Sequence, residues 1–350
     1  MPGRGGAHVV LIVSLVALLT RADQIDDYVK AQMQAFHLPG ITYALVEDGT
    51  IARVGADGVA DITRRTAATA DTVYKIGSVS KQFIATGIML LAQDGRLDVD
   101  HAASRYLEGT PAAWREITIR HLLTHTAGLV RESPAFDPMK TTADAAIVRA
   151  LYPLPLRFPP GSKWEYSNAG YYVLAEIITR VSGRPWPEFL QARVFQPVGM
   201  QLTVPTNVPE GPPNRAAGYT GNGNRQRAAE WLALRPSGAF LSTVGDLAKW
   251  DAALNTDRIL SERSRREMWT PVRLNDGTTY PYGFGWHTET LRDGRRVVWH
   301  GGGLPGFTSY YARFLDDRLS VIVLVNGDDV DLPSVARGLS DLHLKTRPVR

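Results

Sequence analysis

A chain of 350 residues, 44% of them hydrophobic, is long enough to bury a large core, as one big domain or as two lobes sharing an interface. It has no cysteine, which excludes disulfides, thiolate nucleophiles and cysteine-ligated metals. The formal charge is only +4, and the arginines are spread without a long basic run interleaved with aromatics, so nucleic acid is a poor candidate for a partner.

Arg4 precedes an apolar run from Val9 to Leu19, followed by Thr20-Arg21-Ala22. A positive start, a short apolar segment and a small residue at a cut site read as a secretory signal over residues 1–22, which predicts a periplasmic or secreted protein. The run falls short of the ~20 residues of a spanning helix. An uncleaved anchor is the competing reading, and Arg21 beside the cut sits awkwardly with cleavage.

Ile25, Tyr28, Val29, Gln32, Met33 and Phe36 form the apolar stripe of a helix that stops near Pro39-Gly40. Ile41 to Glu47 and Ile51 to Val54 are β-rich and flank Asp48-Gly49, a hairpin signal. Ser78 to Asp94 is apolar nearly all round, as a buried helix is, and Gly95 is its natural stop. Pro153 to Gly161 and Thr203 to Asn224 read as long loops, and Ala169 to Val181 as a helix. Tyr282 to His287, Arg296 to Trp299, Thr308 to Phe314 and Leu319 to Val325 read as strands, with a last helix after Pro333. Strands at both ends and helices between them predict an α/β (α+β type) fold. Its antiparallel sheet is flanked by helices and built from both chain ends, with an inserted helical lobe. The expected layout is a single domain over 23–350, with a sheet lobe at about 23–98 and 272–350 and a helical lobe at about 99–271. A cleft between the lobes is the default ligand site.

Chemistry concentrates in three segments. Ser78-Val79-Ser80-Lys81 opens the buried helix, with Lys81 one turn from Ser78 on the same face. A lysine carried into a buried helix has a depressed pKa, and a neutral amine can take the serine proton. Ser78 as a mere cap and Lys81 as a surface lysine is the competing reading. Tyr166-Ser167-Asn168 lies in a loop entering the next long helix. There a tyrosine beside a cationic lysine loses its proton more readily, and Asn168 offers a donor and an acceptor. His300-Gly301-Gly302-Gly303 ends a strand, and its glycines let backbone approach a ligand. An N–H from this strand, with that of Ser78, could form an oxyanion hole.

In this order the three segments resemble the serine β-lactamase and penicillin-binding family. The group most like it holds class C β-lactamases, D-alanyl-D-alanine carboxypeptidases, D-aminopeptidases and related esterases. His121 to Leu129, Pro160-Gly161, Ser242 to Leu247 and Gly306-Phe307 look like it too, so the resemblance spans roughly Ile41 to Asn326. It implies a β-lactamase/transpeptidase-like fold and an acyl-enzyme route without metal or organic cofactor. Ser78 would be nucleophile, and Lys81 and Tyr166 would carry protons. Asn168, His300, Gly302 and Gly303 would bind substrate, and the amides of Ser78 and Gly303 would hold the oxyanion.

The third motif departs from the commoner Lys-Thr-Gly. His300 is mostly neutral at pH 7 and Gly301 has no hydroxyl, so a substrate carboxylate should be held less firmly. The expectation is therefore an esterase or peptidase. A D-alanyl-D-alanine carboxypeptidase, a D-aminopeptidase or a weak β-lactamase is the alternative. A non-catalytic module that binds peptidoglycan or β-lactams is the rival from another class. The partner expected is a small molecule or peptide with a carbonyl.

Other patterns are weaker. Gly301 to Gly306 matches G-x-G-x-x-G, yet a strand follows it instead of a helix. His121 and His125 have the spacing of zinc ligands but lack His-Glu-x-x-His and read as structural. No G-x-S-x-G elbow occurs.

Overall fold

The computed structural model describes residues 24–208, 211–221 and 223–345. The expected signal, residues 1–22, lies outside them. Among the described residues no helix is long and apolar enough to cross a membrane.

Seven strands form one antiparallel sheet. They are β1 (Gly40–Glu47), β2 (Thr50–Asp61), β3 (Thr66–Ala67), β4 (His287–Thr290), β5 (Arg296–Leu304), β6 (Phe307–Phe314) and β7 (Leu319–Val325). Their spatial order is β4-β5-β6-β7-β1-β2-β3. The two ends of the chain meet where β1 pairs with β7, Tyr43 opposite Val323. The β1–β2 turn is Asp48-Gly49 as expected, with φ of 52° and 78°. Two successive positive φ angles match the twist of the flanking strands.

Period-two alternation sorts the side chains of this sheet between two cores. Ile41, Tyr43 and Leu45 of β1 and Val321, Val323 and Val325 of β7 face one side. There they meet α1, residues 24–35, through Ile25 and Val29. They also meet the last helix, Leu332–Lys345, through Val335 and Leu339. Ala44, Val46, Ile322 and Leu324 face the other side and join the larger core. That core includes α2 (Lys81–Gln93), α3 (Asn168–Ser182) and α4 (Val244–Ala253). Eleven residues of α2 are buried, as the all-round apolar run predicts, although the α-helix begins at Lys81 and Ser78 lies in the 3-10 turn before it. Gly95 ends the run at φ 69°.

Three boundaries differ from expectation. β2 runs on to Asp61 past the expected end at Val54. Gly55 lies under the Tyr43 ring, where a Cβ would be 2.5 Å from ring atoms. Pairing with β1 holds this glycine-rich stretch extended in spite of its weak β-propensity. β5 likewise continues through the glycines to Leu304. The third difference overturns an assignment: residues 282–286 are not a strand. Tyr282 makes only an isolated bridge to His287, and the strand proper is His287–Thr290. Gly283 and Gly285 fold this segment tightly onto its neighbours. A Cβ on the first would be 2.1 Å from the Met268 carbonyl, and one on the second 2.9 Å from the Lys81 carbonyl.

Candidate active site

Ser78 lies in a 3-10 turn, Gly77–Ser80, that leads straight into α2. The turn is pressed against the end of β5. A Cβ on Gly77 would sit 2.8 Å from the Gly303 nitrogen, and one on Gly302 only 2.1 Å from the Ile76 carbonyl oxygen. Two backbones approach this closely only where glycine removes the side chain. Ser78 and the Gly303 amide thus share one corner, with Ser78 half-buried.

Lys81 is buried and has three polar neighbours. Its Nζ is 3.1 Å from Ser78 Oγ, 3.0 Å from Asn168 Oδ1 and 3.0 Å from the Ser237 carbonyl oxygen. Burial holds its pKa well below the ordinary lysine range. Arg235 and Arg131 push the same way, and Glu132 opposes them. The two carbonyls can only accept. A neutral amine gives them its two protons and turns its lone pair to Ser78 Oγ, the one neighbour of the three that can donate.

The Asn168 amide is oriented by Glu132, whose Oε2 accepts from Nδ2 at 3.1 Å and also pairs with Arg235. Ser167, not Asn168, caps α3, by accepting from the Gly170 N–H at 3.1 Å. Asn168 is thereby left to face Lys81.

The Tyr166 side chain lies beside Ser78, which favours its ionised form. Its ring centroid lies 4.7 Å from Lys81 Nζ and 5.5 Å from the Arg131 guanidinium. Burial pushes the phenol up to about 12, against the opposing pull of Ser78, Arg235 and Arg131. The expectation of an easily ionised tyrosine is corrected here. The same desolvation that neutralises Lys81 removes the cation that would have stabilised a phenolate.

His300 also departs from its expected role of touching substrate. It is buried, with Nε2 3.0 Å from the Tyr282 hydroxyl and Nδ1 2.6 Å from the Gly301 carbonyl oxygen. Both ring nitrogens are spent inside the protein. Gly303, by contrast, faces open space, with no atom within 4 Å of a Cβ built there. β4 pairs with β5 only from Arg296 to Trp299, so beyond Trp299 that edge of β5 has no strand beside it among the described residues. Its backbone groups are available to an extended ligand.

The three predicted segments therefore meet, and the structure adds residues that sequence reasoning passed over. Glu132 and Arg235 come from loops and Ser237 from the 3-10 turn Pro236–Gly238, none of them with a motif of its own. Glu132 had a faint signal, because it follows the His121 to Leu129 stretch by three residues. His121 and His125 do not share a helix face. His121 joins the Thr118 capping box, and His125 has φ 61° beyond the end of its short helix. Among the described residues no group of three or more His, Cys, Asp or Glu could hold a metal ion.

The family described as Beta-lactamase matches residues 25–343. Penicillin-binding protein 4* of Bacillus subtilis is 32% identical over 309 residues, covering 82% of this chain and 68% of the relative. A D-aminopeptidase of Cereibacter sphaeroides is 28% identical over 87% of this chain, which spans 60% of that protein's length. Among solved structures, a D-amino acid amidase from Ochrobactrum anthropi complexed with D-phenylalanine superposes with a TM-score of 0.79 at 25% identity, over 92% of this chain and 98% of that one. An octameric penicillin-binding protein homologue from Pyrococcus abyssi shares the fold, with a TM-score of 0.80 at 24% identity, over 93% of this chain and 77% of that one. With the family match running nearly end to end and a relative above 30% identity, this chain belongs to the beta-lactamase family.

Proposed function

We propose that the chain is a serine hydrolase that cleaves an ester or amide through an acyl-enzyme on Ser78. The observation that carries this is the contact of Lys81 Nζ with Ser78 Oγ at 3.1 Å, its two other polar neighbours being carbonyl oxygens that take the protons of a neutral amine. Neutral Lys81 takes the serine proton as Oγ bonds to the substrate carbonyl carbon. The amides of Ser78 and Gly303 hold the oxyanion, acting where charge develops. Tyr166, protonated at neutral pH, passes its proton to the departing alkoxide or amine and regains one from the Lys81 ammonium. Water then attacks the acyl carbonyl. Its proton returns through the same pair, and Ser78 leaves as the hydroxyl.

The neighbourhood favours amides or esters of amino acids over penicillins. Glu132 keeps Oε1 buried without a partner among the described residues. That oxygen beside Asn168 suits a substrate ammonium. The buried, neutral His300 and the bare Gly301 offer little to a substrate carboxylate. The relatives named D-aminopeptidase and D-amino acid amidase make D-amino-acid amides the first class to try. Export is the reading of Arg4 and the Val9 to Leu19 run.

The test is labelling by a fluorophosphonate probe, lost in Ser78→Ala, with a panel of short-chain nitrophenyl esters, D-amino-acid amides, D-alanyl-D-alanine peptides and nitrocefin. Wild-type protein that takes no label and turns over none of these overturns the proposal.

A further inference from the structure

Beyond the tip of the β5–β6 hairpin lies a cavity of about 710 Å³ that the reaction described above does not use. Its lining includes Asp61, Arg64, Arg215, Arg227, Glu230 and Phe307. Three of its walls lead within a few residues to the nucleophile. Pro305 and Phe307 follow Gly303 along the hairpin, the 228–230 segment runs on to Arg235 and Ser237, and the Arg215 wall bridges to Val73, shortly before Ser78. The cavity is therefore walled in part by the segments that carry the nucleophile and the Gly303 amide.

Its charge is unbalanced. Lys75, three residues before Ser78, has a side chain only 5% exposed, yet its Nζ bonds the carboxylate of Glu230 at 2.8 Å. Arg215 pairs with the same carboxylate. On the opposite wall Arg64 and Arg227 both pair with the buried Asp61, at 3.9 and 3.5 Å. Asp61 is saturated further by the Arg64 backbone N–H at 2.9 Å and the Tyr219 hydroxyl at 3.3 Å. Three lining arginines, with the buried Lys75 behind Glu230, thus share two carboxylates. One of the two, Glu230, is 55% exposed and sits on an irregular segment. A lysine this deep needs an anion, and here the anion comes from a side chain that can swing out to water.

We propose that this cavity is a subsite for a carboxylate carried by the substrate at its end remote from the scissile bond, and that Glu230 occupies the place of that carboxylate until substrate arrives. The substrate class is then an ester or amide with an acidic group several bonds from the reacting carbonyl. An incoming carboxylate exchanges one ion pair for another, so Lys75 and Arg215 are never left bare. Arg215 supplies the fork that fixes it. The inference rests on the hydrolase reading given above.

Two matched substrate pairs test it. Mono-4-nitrophenyl glutarate is compared with 4-nitrophenyl valerate for an acid on the acyl side, and 3-carboxyphenyl valerate with phenyl valerate for one on the leaving side. The readout is the ratio of kcat/KM, acidic over neutral. In at least one pair Arg215→Gln lowers that ratio about tenfold or more, and Glu230→Gln raises it, because the competing internal carboxylate is gone. Added salt shrinks the preference. Ratios that neither variant moves in either pair overturn the subsite while leaving the hydrolase intact. Failure to hydrolyse even the neutral esters counts instead against the hydrolase reading. Calorimetric titration with glutarate then decides the subsite alone: binding by wild type that weakens in Arg215→Gln supports it, and no binding by wild type or Glu230→Gln overturns it.

Discussion

Tyr282 and His300 share a buried hydrogen bond of 3.0 Å beneath the end of β5, and its direction is fixed by its surroundings. The Ser167 N–H donates to His125 Nδ1 at 3.2 Å, so His125 carries its proton on Nε2 and gives it to the Tyr282 oxygen, 3.1 Å away. Tyr282 then donates to His300 Nε2, and His300 Nδ1–H donates to the Gly301 carbonyl at 2.6 Å. One chain of donors ties the loop bearing Tyr166 and Ser167 to the strand bearing Gly303. Burial keeps both imidazoles neutral, pushing each well below the usual histidine range.

Removing the middle of this chain should be costly. Tyr282→Phe orphans a buried imidazole N–H and a buried imidazole nitrogen, at about 1–3 kcal/mol each. Urea denaturation should show a lowered midpoint. The kinetic mark is a raised KM with a smaller change in kcat, since the chemistry at Ser78 is untouched while the strand that receives substrate loosens. A midpoint equal to wild type would refute this account.

The rate should fall as the medium is acidified, and the group responsible is Lys81. Its pKa is lowered by burial, so the catalytically needed neutral amine is present above that depressed value and lost as pH drops through it. Tyr166, pushed up to about 12, stays protonated across the neutral and mildly alkaline range and adds no alkaline limb there. A kcat/KM profile with one acid limb and a plateau beyond it is expected. Lys81→Arg should be inactive by roughly 10²–10⁴ or more, because guanidinium does not give up its proton.

Two charges near Lys81 should move that acid limb in opposite directions. Arg235 lowers the lysine pKa and Glu132 raises it. Arg235→Gln should shift the limb to higher pH and Glu132→Gln to lower pH. The second variant should also raise KM for amino-acid amides more than for simple nitrophenyl esters, by losing the carboxylate offered to the ammonium. Parallel shifts in both variants would contradict the electrostatic account.

Adjacent glycines of β5 should differ sharply in what they tolerate. A Cβ on Gly302 meets the Ile76 carbonyl at 2.1 Å and Ser309 Oγ at 2.3 Å, while one on Gly303 meets nothing within 4 Å. Gly302→Ala should lower the melting temperature and abolish fluorophosphonate labelling by pushing Ser78 away from β5. Gly303→Ala should fold with wild-type stability, which differential scanning fluorimetry reads directly.

Much was legible in the chain itself because it depends on neighbours in sequence. Asp48-Gly49 sets a two-residue hairpin through its own backbone preferences, Gly95 ends a helix, and the all-round apolar face from Phe83 to Leu91 commits α2 to the interior. Ser78 and Lys81 are one turn apart on any helix, so their pairing needed no tertiary information. What the tertiary structure alone decided is the protonation logic of the site. Whether Lys81 is neutral depends on its burial and on Arg235, Glu132 and Arg131, which lie far from it in sequence, and where its protons point depends on the Ser237 carbonyl and Asn168 Oδ1, 156 and 87 residues away. Whether Tyr166 ionises depends on how deeply it is buried, and whether His300 meets substrate depends on Tyr282 reaching it first. Hydrogen-bond partners and dielectric surroundings are properties of the packed interior, where distant segments displace water from one another, and no local pattern of residues encodes them.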